Sequence, residues 1–230
     1  MINCLHGGCV MCRERNEVFN SLTGDELAVI DNNRTNIRYK PGEIIFKQGT
    51  PCHNFYCVTS GLVKLFIENG NHHNLIIDLI TPVEYIFIPG IFNDQKHHFS
   101  AAACEETTAC LIDIHVMTDV MRKNPDFAME YIKKISRQSV GMLEKMSGYN
   151  HKQVFGRVAE TLFFLSREIY KNNPFTLSLS RQELADMTGI TKESFIRVLK
   201  KFKEDQIITM EGNHCEILNF QMLEMISKNG

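Results

Sequence analysis

Residues 180–203 read SRQELADMTGITKESFIRVLKKFK, and this stretch decides the fold of the C-terminal part of the chain. Ser180 and Glu183 have capping-box spacing, in which each side chain satisfies the other's backbone amide, so a short helix starts after Ser180. Gly189 ends it, because glycine enters the left-handed conformation without a Cβ penalty. Ala185 is small enough to let a second helix approach. Thr191 is placed to cap that second helix, on which Phe195, Val198, Leu199 and Phe202 recur at helical spacing as one apolar face. Its other face carries Lys192, Glu193, Arg197, Lys200 and Lys201. Downstream, Ile207–Met210 and Cys215–Leu218 flank a Gly212-Asn213 turn and predict a two-stranded wing. This order of elements is the geometry that lays a helix in the major groove of DNA. A plain helical hairpin with a solvated charged face explains each feature singly, but not all of them in sequence.

Working towards the N-terminus, an apolar helix is expected over about 152–170, with Gly148-Tyr149-Asn150 as the hinge before it. From Pro125 to Ser147 the apolar period is helical. Phe127, Tyr131, Ile135, Met142 and Met146 mark one stripe, and Ile132, Val140 and Leu143 a second. A helix apolar on two sides needs two covers. One is the preceding domain; the second is the same helix of another copy or, failing that, the interior of a monomer. Tyr131, Ile135, Met142 and Met146 are the expected dimer contacts.

Residues 36–114 have a different texture. Pro41-Gly42, Gly49, Ser60-Gly61, Asn69-Gly70 and Pro89-Gly90 separate short apolar runs at Ile44–Phe46, Phe55–Val58, Leu62–Ile67 and Leu75–Ile80. That pattern predicts an antiparallel β domain, with Asn69-Gly70 as its clearest hairpin. Before it, Thr23 and Glu26 form a second capping box at the start of a short helix.

At 230 residues the chain suits two domains. We divide it into a Cys-containing leader (1–20), a β sensor domain (21–124), a helix and hinge (125–150) and a DNA-binding domain (151–230). The net charge of −2 is uninformative overall, but Lys192, Arg197, Lys200, Lys201 and Lys203 oppose only Glu193 within residues 192–203. Such a local excess of positive charge suits phosphate contacts. No run of about 20 apolar residues suggests a membrane span. The start, MINCLHGGCVMC, lacks the basic and apolar regions of a secretory signal. A cytoplasmic location is therefore expected, with the eight cysteines serving as thiols, metal ligands or redox sensors rather than a disulfide framework.

The whole resembles the Crp/Fnr family of transcription regulators. Lys40-Pro41-Gly42-Glu43, Gly49 and Gly61-Leu62-Val63-Lys64-Leu65 resemble that family's β-roll. Gly156-Arg157-Val158-Ala159-Glu160-Thr161-Leu162 resembles the helix after its hinge, and Glu193-Ser194 with Arg197 its recognition motif. The resemblance implies an α+β fold: a cupin-like, cyclic-nucleotide-binding-like antiparallel β-roll, a long dimerisation helix and a C-terminal winged helix-turn-helix. It implies a homodimer on palindromic double-stranded DNA, with RNA polymerase as a partner if the protein activates, and no enzyme activity. The expected DNA contacts are Arg181, Lys192, Glu193, Ser194, Ile196, Arg197, Lys200 and Lys201.

In members that bind cyclic AMP, a Gly-Glu-Leu turn and an Arg-Ser or Arg-Thr pair hold the ligand. Here the matching stretch, Tyr85 to Phe92, has no Glu, and Phe99 stands at the Arg position, so cyclic AMP is not expected. Cys4, Cys9, Cys12 and Cys110 resemble instead the ligands of a [4Fe–4S] cluster in the oxygen-sensing Fnr branch. Against this, the leader spacing departs from that branch, and Cys110 alternates with Ile112 and Ile114 as core packing would. Cys52, Cys57, Cys104 and Cys215 are expected to pack as small apolar side chains. His72, His73, His97 and His98 are expected to be solvated loop residues. The alternative from another class is a Cys-rich redox or metal-binding protein without a DNA role; no thiol stands visibly beside a base, and such a protein has no use for the 180–218 module.

Overall fold

The structure, a computed structural model, describes residues 17–70 and 74–230. Of these, residues 17–68 with 78–141 form one compact unit, and residues 69, 70 and 74–77 with 142–230 a second.

The first unit opens with a tight turn, Glu17–Ser21, that buries Val18 and Phe19. Helix α1 (Gly24–Asn32) follows, capped reciprocally by Thr23 and Glu26 as the spacing predicts. Eight strands come next: β1 (Arg34–Tyr39), β2 (Ile44–Phe46), β3 (Asn54–Ser60), β4 (Val63–Ile67), β5 (Leu75–Ile80), β6 (Tyr85–Ile86), β7 (Ser100–Ala103) and β8 (Thr107–Asp113). They form two four-stranded sheets, ordered β1-β8-β3-β6 and β2-β7-β4-β5. Small side chains let β7 sit between β2 and β4: Ala101, Ala102 and Ala103 are buried throughout. Gly90 is obligatory in the turn after β6, because a Cβ there would lie 1.8 Å from the Lys96 carbonyl oxygen.

Strand β8 ends at Asp113, one residue before Ile114, because the Asp113 side chain accepts from the His115 amide and starts helix α2 (Ile114–Lys123). Sequence reading missed α2, having run the strand through Ile114. Helix α3 (Pro125–His151) is anchored by Asn124, whose Oδ1 accepts from the Phe127 amide at 3.0 Å while Nδ2 donates to Glu26 at 2.9 Å.

The first apolar stripe of α3 divides by environment, and the second stays exposed. Phe127 and Tyr131 turn into the β domain, where the Tyr131 ring lies 5.6 Å from Phe55, 5.1 Å from Phe87 and 5.8 Å from Phe92. This corrects the expectation that Tyr131 is a dimer contact: aromatic packing in its own domain has claimed it. Ile132, Val140, Met142 and Leu143 are exposed, and Ile135 is half-buried. The Met146 side chain lies outside the described residues. The helix also runs on through Gly148-Tyr149-Asn150 to His151, so the break falls at Lys152-Gln153, later than expected.

The second unit contains α4 (Val154–Phe164), a π-helical turn (Leu165–Ile169), β9 (Phe175–Thr176), α5 (Arg181–Thr188), α6 (Lys192–Glu204), β10 (Ile208–Glu211), β11 (His214–Ile217) and α7 (Phe220–Asn229). The wing has three strands, β10-β11-β9, rather than the expected two. A two-residue strand such as β9 carries no periodic signal to read.

Candidate nucleic-acid interface

Helix α5 starts as its sequence dictates. Ser180 Oγ accepts from the Glu183 amide at 3.3 Å, and the Glu183 carboxylate accepts from the Ser180 amide at 2.6 Å. Gly189 ends the helix in the left-handed region, at φ 63°. Thr191 then caps α6, accepting from the Ser194 amide at 3.3 Å. Burial of Phe195, Val198, Leu199 and Phe202 sets the rotation of α6 about its axis. Lys192, Glu193, Ile196, Arg197, Lys200 and Lys201 are therefore exposed, with Ser194 half-buried beside the cap.

Within that exposed set, positions 193, 196, 197 and 200 follow helical spacing and share one face. Ile196 is 45% exposed and stands on this face between Glu193 and Arg197. The two C-terminal lysines are already partnered: Lys201 Nζ donates to Asp205 at 2.8 Å, and Lys200 lies 3.9 Å from Glu204. The Asp205 carboxylate raises the Lys201 pKa by hydrogen bond and charge. Among the described residues no ion pair holds Lys192 or Arg197. Lys203 is directed elsewhere, donating to the Met210 carbonyl of β10 at 3.1 Å.

Two arginines brace the motif from behind, and sequence reading gave neither this role. Arg157 of α4 donates from Nη1 to the Thr188 carbonyl at 3.2 Å, holding the end of α5 just before the Gly189 turn. Arg181 donates from Nη2 to the Gly212 carbonyl at the tip of the wing. One nitrogen of this guanidinium, expected among the DNA contacts, is thus tied to the turn between β10 and β11. Cys215 is fully buried in that wing opposite Met210, and burial drives its thiol pKa up to about 12.

In the first unit, Cys110 is buried on β8 with Cys57 of β3 as its cross-strand partner. Cys57 in turn pairs with Tyr85 of β6, and the Phe19 ring stacks on Tyr85 at 4.6 Å. Cross-strand partners project from the same sheet face. The end of the leader thus packs on the face from which Cys110 and Cys57 project. Cys4, Cys9 and Cys12 lie outside the described residues, as do His72 and His73. Among the described residues no group of three or more His, Cys, Asp or Glu side chains is placed to hold a metal. Cys52 and Cys57 are buried as expected, whereas Cys104 is half-buried.

Phe99 is buried and lies 5.8 Å from Phe46, with Phe87 and Ile88 also buried. His97 is not the solvated residue expected. It is 3% exposed, stacks on Phe46 at 4.0 Å and leaves Nδ1 without a partner. His98 is exposed and pairs with Asp94 at 3.0 Å.

Comparison with known proteins agrees with this geometry. Residues 36–124 match the cyclic nucleotide-binding domain, and residues 156–226 match the Crp-like helix-turn-helix domain. The chain is 28% identical over 184 residues to the transcriptional activator protein Anr of Pseudomonas protegens, covering 78% of this chain and 75% of that protein. It is 25% identical over 189 residues to the fumarate and nitrate reduction regulatory protein of Vibrio cholerae, covering 79% and 75%. In fold it is similar to FixK2 from Bradyrhizobium japonicum, with a TM-score of 0.77 at 20% identity over 84% of this chain and 96% of that one. The c-di-GMP responsive regulator CLP of Xanthomonas campestris superposes with a TM-score of 0.74 at 21% identity, over 85% and 99%. With a β-roll, a long helix and a winged helix-turn-helix in the matching order, this chain belongs to the Crp/Fnr family of DNA-binding transcription regulators, which are not enzymes.

Proposed function

We propose that the protein acts in the cytoplasm as a homodimer that reads an inverted-repeat operator with α6 of each copy. The observation that carries this reading is the exposed face of α6, on which Glu193, Ile196 and Arg197 stand together at the N-terminal end of a helix fixed by its buried side. Glu193 can accept from cytosine N4, Arg197 can donate twice to guanine O6 and N7, and Ile196 can pack on a thymine methyl. Lys192 is the phosphate contact, with Ser194 near the backbone at the helix start. A dimer would set two such helices about 34 Å apart, one turn of DNA. The test is an anisotropy titration against an inverted repeat with a G·C pair in each half-site, beside a scrambled duplex. Binding at least a hundredfold tighter to the repeat is expected, and equal binding would end the reading. If the protein activates, RNA polymerase is the further partner.

Exposure supports our assignment of the dimer seam. Ile132, Ile135, Ser139 and Met142 are spaced three, four and three residues apart, the alternation that keeps one side of a helix against a partner.

A second reading concerns the signal. Cys110 lies buried on the sheet face where Phe19, at the end of the leader, packs, and this supports a [4Fe–4S] cluster held by Cys4, Cys9, Cys12 and Cys110. Such a cluster would supply sensitivity to oxygen. Anaerobically purified protein should then be brown, Cys110→Ser should lose most of its iron and Cys215→Ser should keep it. A colourless, iron-free preparation would leave Cys110 as core packing. Cyclic AMP is not the signal in this reading, because Phe99 offers its phosphate no charge partner.

A further inference from the structure

A cavity of about 760 Å³ opens on the side of the first unit, walled by the turn after β6, the start of β3, α2 and the first turns of α3. Two properties set it apart from an ordinary surface groove. One wall is apolar, built from Ile91, Ile114, Met121, Ile132 and Ile135. The ionisable groups of the other wall include His53, His115 and Arg122, and no carboxylate is among the described residues that line it.

We propose that this cavity is a ligand site for a small amphipathic carboxylate, a medium-chain fatty acid or an arylalkanoic acid. The apolar body would lie on the isoleucine wall, and the carboxylate would meet Arg122 and His115. Arg122 is presently 3.1 Å from Asp119, with both side chains largely exposed, so the pair is weak enough for a bound carboxylate to compete. The volume suits a ligand of this class, since such sites run from about 300 to 1,000 Å³. Phe87 and Phe99, both buried, are not among the residues that line the cavity.

Ile132 and Ile135 belong both to this wall and to the proposed seam, so the inference rests in part on the dimer reading. A second copy is nonetheless the poorer occupant of the cavity itself. The apolar stripe of a partner helix would cover the isoleucines and leave His53, His115 and Arg122 unanswered.

The experiment is calorimetry of the full chain with decanoate and with 4-phenylbutanoate, and with decanol as the uncharged control. Sedimentation is run on the same samples. Saturable, micromolar binding of at least one acid is expected, with decanol at least tenfold weaker. Arg122→Gln should weaken the acid tenfold or more while the protein stays folded. Absence of saturable binding of both acids, or affinity unchanged in Arg122→Gln, would overturn the proposal. So would dissociation of the dimer by the acid, which would make the second copy the occupant. A monomer that still binds decanoate would defeat the dimer reading and keep the site; an intact dimer that binds neither acid would do the reverse.

Discussion

Arg181, on the first helix of the DNA-binding motif, donates its Nη2 proton to the carbonyl of Gly212 at the tip of the wing. The contact joins two elements 31 residues apart in sequence and fixes the wing against the helix that precedes the reading helix. Arg181→Ala should lower stability by about 1–2 kcal/mol, the usual range for a hydrogen bond with a charged donor at a partly exposed site. Amide exchange at Gly212 and Asn213 should quicken, and affinity should fall alike for all DNA sequences. Unchanged exchange at the wing tip would show that the arginine does not brace it.

His97 makes stability depend on pH. Burial against Phe46 pushes its pKa down to about 4, and the nearby His53 acts in the same direction. The unfolded chain would protonate this imidazole near pH 6.5, so between about 6.5 and 4 the unfolded state binds more protons than the folded one. Stability contributed by the neutral ring is therefore full above pH 6.5 and is lost as pH falls towards 4, by at most roughly 3 kcal/mol. Urea denaturation at pH 7 and pH 4.5 should show a larger loss for the wild type than for His97→Phe. Equal losses would mean that the ring titrates normally in the fold.

The helix α3 separates what sequence can show from what it cannot. Its two-sided apolar period was legible, and so was the need for two covers. Which residue faces which cover was not, because Tyr131 and Ile135 sit one turn apart on a single stripe and periodicity treats them alike. The decision belongs to Phe55, Phe87 and Phe92, which surround the Tyr131 ring from distant strands. His97 was misread for a related reason: its sequence neighbours are polar, whereas its spatial neighbour is Phe46. By contrast, the caps at Thr23, Ser180 and Thr191 were read correctly, because capping is local chemistry within four residues. The exposed face of α6 was legible for the same reason, since a buried quartet at helical spacing leaves only one face for solvent.

The seam assignment yields a contrast between two substitutions on one helix. Ile135→Asp should place like charges across the two-fold axis and shift the chain to monomer, with little change in its β domain. Tyr131→Ala should instead unpack three aromatic rings and destabilise the monomer by about 3–5 kcal/mol, as large-to-small core changes do. Sedimentation and thermal melts on both variants test this. An Ile135→Asp dimer of unchanged strength would move the seam off this stripe.

Sequence preference should reside in Arg197 and salt dependence in Lys192. Both project from the exposed side of α6, and neither is held in an ion pair among the described residues. Arg197 stands one turn beyond Glu193, so the two side chains can reach neighbouring base pairs together. A bidentate contact to guanine discriminates by about 1–3 kcal/mol, so Arg197→Ala should relax preference at one G·C pair of each half-site by that amount. Lys192→Ala should weaken binding to every sequence alike and reduce the slope of log affinity against log salt by about one per half-site contact. Lys201 is the informative control. It already donates to Asp205 at 2.8 Å, and a phosphate would have to displace that carboxylate, so Lys201→Ala should change the slope less than Lys192→Ala. The measurement is a titration against a library randomised in one half-site, repeated at several salt concentrations for the wild type and the three variants. Full retention of the guanine preference in Arg197→Ala would mean that a different face of α6 reads the DNA. A larger slope change for Lys201 than for Lys192 would mean that the phosphates pass the C-terminal end of the helix.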